Sequence, residues 1–201
     1  MRISHHHKFI YISKPKSASE SIRQALDAHS DIFSDEDFYS PYYHHTTLRQ
    51  LKKHFNDMGW DFNSYFKFTS LRNPWDMAVS LYFYNKVDIN GLAFWHNSPD
   101  YKPQQLMSFK EWVLKENMAW FHTLQNFILD ENGNNMVDYV VRVENLNCDL
   151  DLVASQLGIK LNCPHLNKTS HKKYSEYYDE QTKEMIAKVF KFDIEYGGYE
   201  F

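Results

Sequence analysis

Two short stretches of this chain set a cation between an apolar run and a helix start. The first reads Phe9-Ile10-Tyr11-Ile12-Ser13-Lys14-Pro15-Lys16-Ser17-Ala18-Ser19-Glu20-Ser21, and the second reads Tyr65-Phe66-Lys67-Phe68-Thr69-Ser70-Leu71-Arg72-Asn73-Pro74-Trp75-Asp76 and continues to Ser80. A helix start presents unpaired N–H groups and the positive end of the macrodipole, so each stretch suits a phosphate or sulfate. Lys16 would act as a point charge, with hydroxyls from Ser17, Ser19 and Ser21 and the backbone of Ala18 beside it. The planar fork of Arg72 matches a phosphate in bidentate fashion. Ser80 follows Asn73 by close to two helical turns, so both can share one helix face. Two anion sites in one small protein suggest a ligand that is anionic at both ends. A third candidate is His45, which precedes the segment Thr46-Thr47-Leu48-Arg49-Gln50-Leu51. An imidazole titrates near pH ~6.5, so its neutral form can take a hydroxyl proton. His44 is the neighbour that could share or replace that role.

Glu20 stands out among these residues, because a carboxylate facing an anion is repulsive at close range. It either turns outward as a first-turn Glu favoured by the helix dipole, meets a basic acceptor, or impairs the site. The first loop lacks the glycines of a triphosphate-binding Gly-x-x-x-x-Gly-Lys-Ser/Thr loop. A small-molecule kinase of the P-loop class is therefore the weaker reading.

The elements that must hold these residues read as follows. Phe9 to Ile12 and Tyr65 to Leu71 are buried strands. Ser19 to Ala28 and Thr46 to Phe55 are helices, the second carrying Leu48, Leu51 and Phe55 on one face. Asn73 caps a helix with Pro74 at its first position. Ser108-Phe109-Lys110-Glu111 is a capping box. Asp130 to Gly133 is a turn between the apolar runs ending at Leu129 and starting at Val137. Asn147 to Leu157 is a helix stopped by Gly158, and Asp179 to Phe190 is the last. Residues 31–45 and 88–107 read as loops. Alternating strands and helices predict an α/β fold, a single P-loop-like domain over 1–201 with a mostly parallel central sheet flanked by helices.

Composition narrows the function classes. The 201 residues suffice for one domain with a real core, and 43% hydrophobic with 24% charged residues is ordinary for a globular chain. A formal net charge of −4 supplies no global field for nucleic acid. The two cysteines, Cys148 and Cys163, are too few for a disulfide framework and read as free thiols. No apolar run approaches the ~20 residues of a membrane span. His5-His6-His7 reads as a solvated, flexible terminus and not a metal site, and no metal-ligand set is expected elsewhere. Arg142 and Glu144 alternate on a strand and either pair with each other or line the site. Tyr174, Tyr177 and Tyr178 read as packing.

Together these motifs resemble the nucleotide-binding signature of the sulfotransferase superfamily, whose members use 3′-phosphoadenosine 5′-phosphosulfate (PAPS) and release 3′-phosphoadenosine 5′-phosphate (PAP). The nearer match is the carbohydrate-type branch, sulfotransferase family 2. Its first loop usually reads Pro-Lys-Thr-Ala-Gly-Thr-Ser; here it is Pro15-Lys16-Ser17-Ala18-Ser19-Glu20-Ser21, with Ser19 in place of Gly and Glu20 in place of Thr. The motif Arg-Asn-Pro-x-Asp-x-x-x-Ser matches in full at Arg72, Asn73, Pro74, Asp76 and Ser80. The resemblance continues through Arg142 to Leu146, Pro164 to Lys168 and His171 to Tyr174, and ends at Gly198 to Phe201. It implies that Lys16 contacts the transferring sulfuryl group, that Arg72 and Ser80 hold the 3′-phosphate, and that His45 is the base at the acceptor. Lys168, with Asn167 and Lys172, sits in a late polar loop that could close over the 3′-phosphate. The implied reaction moves the sulfuryl group to a hydroxyl acceptor, a saccharide by analogy with the branch. Trp95, His96 and Tyr101 are its candidate contacts. A cytoplasmic, bacterial enzyme without a membrane anchor is expected; a non-catalytic PAP- or PAPS-binding relative is the alternative.

Overall fold

The computed structural model describes residues 1–87, 93–95, 107–115, 123–163 and 171–201. The chain forms two compact units. One comprises residues 1–72 with 124–167, the other residues 73–123 with 168–201.

The first unit is built on a five-stranded sheet. Its strands are β1 (Arg2–Ser4), β2 (Phe9–Ile12), β3 (Ile32–Phe33), β4 (Phe66–Leu71) and β7 (Tyr139–Arg142), in the order β3-β1-β2-β4-β7. The strands β2, β4 and β7 run parallel, with Ile12 beside Thr69 and Leu71 beside Arg142. They form the parallel core expected from the alternation of strands and helices. The sheet is mixed, however, because β1 pairs antiparallel with both β2 and β3. The helices are α1 (Ser19–Leu26), α2 (Leu48–Asp57), α5 (Leu124–Ile128) and α6 (Leu146–Leu157). Side chains alternate across a strand. Phe9, Tyr11, Phe68 and Val141 therefore share one face, where they pack with Ile22 and Leu26 of α1 and Leu150 and Val153 of α6. Ile10, Ile12, Thr69 and Leu71 face the other way and are also fully buried. A strand buried on both faces has no polar alternation, which is why Phe9 to Ile12 reads as continuous apolar sequence.

β1 corrects the expectation of a flexible terminus. Met1 and Ile3 are fully buried. Arg2 is bonded to Asp27 at 2.6 Å. His5, in the turn to β2, meets the Tyr65 hydroxyl through Nδ1 at 2.6 Å and lies edge-on to Trp60. The turn at Asp130 is closed by its carboxylate, which accepts the N–H groups of Asn132 and Asn134, and Leu129 bridges Asn135. Glu144 lies on a 3-10 turn after β7, not on the strand.

The second unit contains α3 (Pro74–Tyr84), a small antiparallel pair β5 (Asn85–Val87) and β6 (Ala93–Trp95), α4 (Phe109–Leu114), α7 (Glu180–Val189) and α8 (Lys191–Gly197). Ala93–Trp95 is thus strand where loop was expected, and His96 and Tyr101 lie outside the described residues. Asn73 Oδ1 accepts the N–H of Trp75 at 3.0 Å and of Asp76 at 3.3 Å, the cap read from sequence. Ser108 and Glu111 close the expected capping box on α4. Trp75, Val79, Trp112, Ile186 and Phe190 form the core, and Tyr174, Tyr177 and Tyr178 pack against it. Among the described residues no helix is long and apolar enough to cross a membrane.

Candidate active site

In a parallel sheet the loops after neighbouring strands meet at the carboxyl edge, where ligands of open α/β folds bind. Here the loop after β2 carries Lys16 and the residue after β4 is Arg72. The two cations are brought together: Arg72 Nη1 reaches the Lys16 carbonyl at 3.4 Å. Burial, and secondarily the charge of Arg72, lower the Lys16 pKa from 10.5 to about 8. Two crowded cations are unfavourable alone and favourable around an anion. Arg142 ends β7 beside Leu71, so the same edge holds a third cationic residue.

The backbone of the first loop is bent at two places. Lys16 has φ 59 and Ala18 φ 58, left-handed values that an L residue seldom adopts. Such outliers persist where surroundings enforce them, and they gather at ligand clamps. Left-handed residues interleaved with ordinary ones also curl successive N–H groups toward one point, a geometry that holds anions. Ala18 then caps α1 with no side-chain hydrogen bond. Ser19 is the first residue of α1 and is not left-handed, so it needs none of the conformational freedom of the Gly it replaces.

What fixes the loop lies beneath it. Ser17 is fully buried. Its hydroxyl donates to the Lys14 carbonyl at 2.8 Å and meets Ser70 Oγ at 2.9 Å, and Ser70 meets the Tyr11 hydroxyl at 3.1 Å. The Ser17 hydroxyl, expected among the donors to the anion, here holds the turn from below. Ser70, which supports the loop, was missed by sequence reasoning, since one serine in an apolar strand carries no pattern. Lys14, fully buried between β2 and Pro15, was passed over as well.

Glu20 is exposed in the first turn of α1 and bonded to Arg23 one turn later. Arg23 also reaches Ser34 Oγ at 3.4 Å. Ser21 is buried on the same helix. Ser80 lies on α3 and is buried. Lys168 and Asn167 lie outside the described residues.

His45 is half-buried in the loop before α2, and its Nδ1 is 2.8 Å from the Ser13 carbonyl, three residues ahead of Lys16. A carbonyl only accepts, so Nδ1 carries the hydrogen and Nε2 is the basic nitrogen of the neutral ring. His44 instead sets Nδ1 3.3 Å from the Asp35 carbonyl, and burial lowers its pKa. The two rings meet edge-on. α2 itself is fixed by a full capping box between Thr47 and Gln50. The structure therefore gathers Lys16, Arg72 and His45 at one edge of the sheet.

Among known proteins, residues 1–200 match the sequence model of the sulfotransferase family. The chain is also similar to the solved structure of mouse sulfotransferase SULT7A1 complexed with PAP. The two share 14% identity at a TM-score of 0.53, over 96% of this chain and 85% of that chain. That likeness is one of fold. No curated protein sequence matches the chain. The family match runs through both units and spans every motif described above: the chain belongs to the sulfotransferase family.

Proposed function

We propose that the chain transfers the sulfuryl group of PAPS to a saccharide hydroxyl, in the cytoplasm, as one functional domain. The observation that carries the cofactor reading is the Lys16–Arg72 pair at the carboxyl edge, with the Lys16 pKa lowered to about 8. Two half-buried cations, Lys16 on a left-handed turn and Arg72 at the end of the neighbouring strand, fit a ligand bearing phosphate and sulfate groups. Lys16 and the N–H groups of residues 18–20 would hold the phosphosulfate. Arg72 and Ser80, with Lys168, would hold the 3′-phosphate, as the family motif implies. When bound, PAPS supplies the sulfuryl group and a stabilised leaving phosphate.

The side chains of this chain then have separable tasks. His45 keeps Nδ1–H on the Ser13 carbonyl and takes the acceptor's hydroxyl proton at Nε2. The Lys16 ammonium offsets the negative charge that grows on the leaving group. As in phosphoryl transfer, most of the rate comes from positioning and charge stabilisation. Family membership favours sulfuryl over phosphoryl transfer. The Glu20–Arg23 bond supports reading Glu20 as a first-turn residue with its own partner. The test is calorimetry with PAP, followed by transfer of label from PAPS to glycans and to small alcohols. No binding of PAP would overturn the cofactor reading, and label in small alcohols alone would overturn the saccharide.

A further inference from the structure

Next to His45 the first unit has a cleft of about 270 Å³, lined by Phe38, Tyr39, Gln50, Lys53, His54 and Asp57 with smaller neighbours. Its rim is aromatic and exposed: Phe38 is 71% and Tyr39 91% exposed, the highest values among the large hydrophobic side chains described. The rings lead toward the proposed base. Phe38 meets Tyr43 edge-on at 5.3 Å, and Tyr43 meets His45 at 6.0 Å. Thr46, the residue after His45, also lines the cleft.

The polar groups of the cleft are fixed and nearly neutral. Gln50 Oε1 accepts from Thr46, from Thr47 N–H and from the Thr47 hydroxyl, which leaves its NH₂ hydrogens for another acceptor. His54 Nε2 is held by the Tyr42 hydroxyl at 2.8 Å. Lys53 pairs with Asp57 at 2.7 Å. The rim, by contrast, is acidic. Residues 24–48 contain no lysine or arginine. Asp35, Glu36 and Asp37 lead directly into Phe38, and none of the three has a cationic partner among the described residues. A polyanion approaching His45 would meet these exposed carboxylates, while the nearest arginines, Arg2 and Arg23, are mostly buried against Ser34 and engaged with Asp27 and Glu20.

We propose that this cleft recognises the acceptor and takes an uncharged saccharide chain, with the apolar face of one sugar against Phe38 and Tyr39 and its hydroxyls on Gln50 and the Lys53–Asp57 pair. It deepens, and rests on, the sulfotransferase reading above. Exposed aromatic rings flanked by a few fixed polar groups suit a sugar, which has an apolar face and a polar edge. The acidic rim turns away uronate-bearing and sulfated chains.

The experiment uses the full chain and two panels of tetrasaccharides. One panel is uncharged (β-glucan, β-galactan, α-mannan) and the other bears uronates. Saccharide binding is read by saturation-transfer NMR without nucleotide, PAP binding by calorimetry, and transfer with labelled PAPS. The uncharged panel should bind and accept label. Phe38→Ala with Tyr39→Ala should raise the KM for the saccharide about tenfold or more while PAP affinity holds. Both side chains are exposed, so the variant should fold. Neutralising the rim (Asp35→Asn, Glu36→Gln, Asp37→Asn) should admit uronate chains. Label in uronate chains alone, an unchanged KM in the double variant, or PAP binding with no saccharide bound would each overturn the proposal. Saccharide bound through Phe38 and Tyr39 without PAP binding would sustain the cleft and sink the sulfotransferase reading instead.

Discussion

If Lys16 helps hold an anionic nucleotide, the affinity for PAP must depend on pH in a way that only this residue sets. In the free protein its pKa lies at about 8, against 10.5 ordinarily, because burial and the Arg72 charge disfavour the ammonium. Lys16 is therefore roughly 90% charged at pH 7 and roughly 10% charged at pH 9. A bound phosphosulfate or phosphate adds negative charge beside the ammonium and returns the pKa toward its ordinary value. Linkage then requires the Kd for PAP to rise about tenfold between pH 7 and pH 9, with uptake of ~0.5 proton per PAP at pH 8. PAP is already fully ionised across this window, since the second phosphate ionisation lies near ~6. The assay is titration calorimetry in two buffers of different ionisation enthalpy. Lys16→Met should flatten the pH dependence and remove the proton uptake. Lys16→Arg should flatten it while retaining affinity, because the guanidinium does not titrate. The same shift also acts on the stability of the ligand-free protein. Between about 8 and 10.5 the unfolded chain binds more protons at this residue, so its penalty is full below that window and relieved above it. A flat Kd in the parent protein, or an equal slope in Lys16→Met, would refute the assignment of Lys16 to the anion.

Three further outcomes are expected. Arg72→Ala should weaken PAP by about 1.5–3 kcal/mol, and adenosine 5′-phosphosulfate, which lacks the 3′-phosphate, much less; equal losses in calorimetry would argue against a 3′-phosphate contact. His45→Ala should lower kcat by roughly 10²–10⁴-fold and remove the limb of the pH–rate profile on which activity rises through a histidine ionisation. PAP affinity should stay put, and His44→Ala should be much milder; a dead His44 variant beside an active His45 variant would reassign the base. Ser70→Ala should destabilise the fold by about 1–3 kcal/mol in urea melts, because it strips a partner from the buried Ser17 and Tyr11 hydroxyls. An unchanged midpoint would mean the chain of hydroxyls does not hold the loop.

What the sequence disclosed and what it withheld follow from how far each feature depends on distant residues. The caps at Asn73 and Ser108 are local chemistry, and each is found where the sequence places it; Thr47 and Asp179, read within or at the head of their helices, turn out to cap them. The central strands Phe9–Ile12 and Phe66–Leu71 are buried on both faces, so their apolar runs are visible without any partner. Arg2–Ser4 is different. Three residues carry no period, and this strand exists because its edge is paired on both sides and Arg2 is bonded to Asp27. The three histidines after it looked like a solvated tail because nothing local announces Tyr65 or Trp60, which hold His5. Lys16, Arg72 and His45 were legible as types in a spacing. That His45 is tied to Ser13, and so to the same turn as Lys16, needs the fold to bring the turn after Ile12 against the loop before Leu48.

Ser17 and Glu20 show that position in a motif and side-chain direction are set separately. Both sit in the loop that the family motif marks, and the motif implies polar contact with the phosphosulfate. The structure separates motif position from side-chain direction. Lys16 and Ala18 take the left-handed bends, and between them Ser17 points inward to Lys14 and Ser70. Past the bends the chain enters α1, where a residue's direction is set by helical phase and not by the loop. Glu20 falls on the outer side of that helix, one turn from Arg23, which also reaches Ser34. The carboxylate that looked repulsive is therefore matched by a cation of its own helix. It is also favoured by the same macrodipole that draws the ligand, so α1 can keep a Glu in its first turn and still present its backbone N–H groups to an anion.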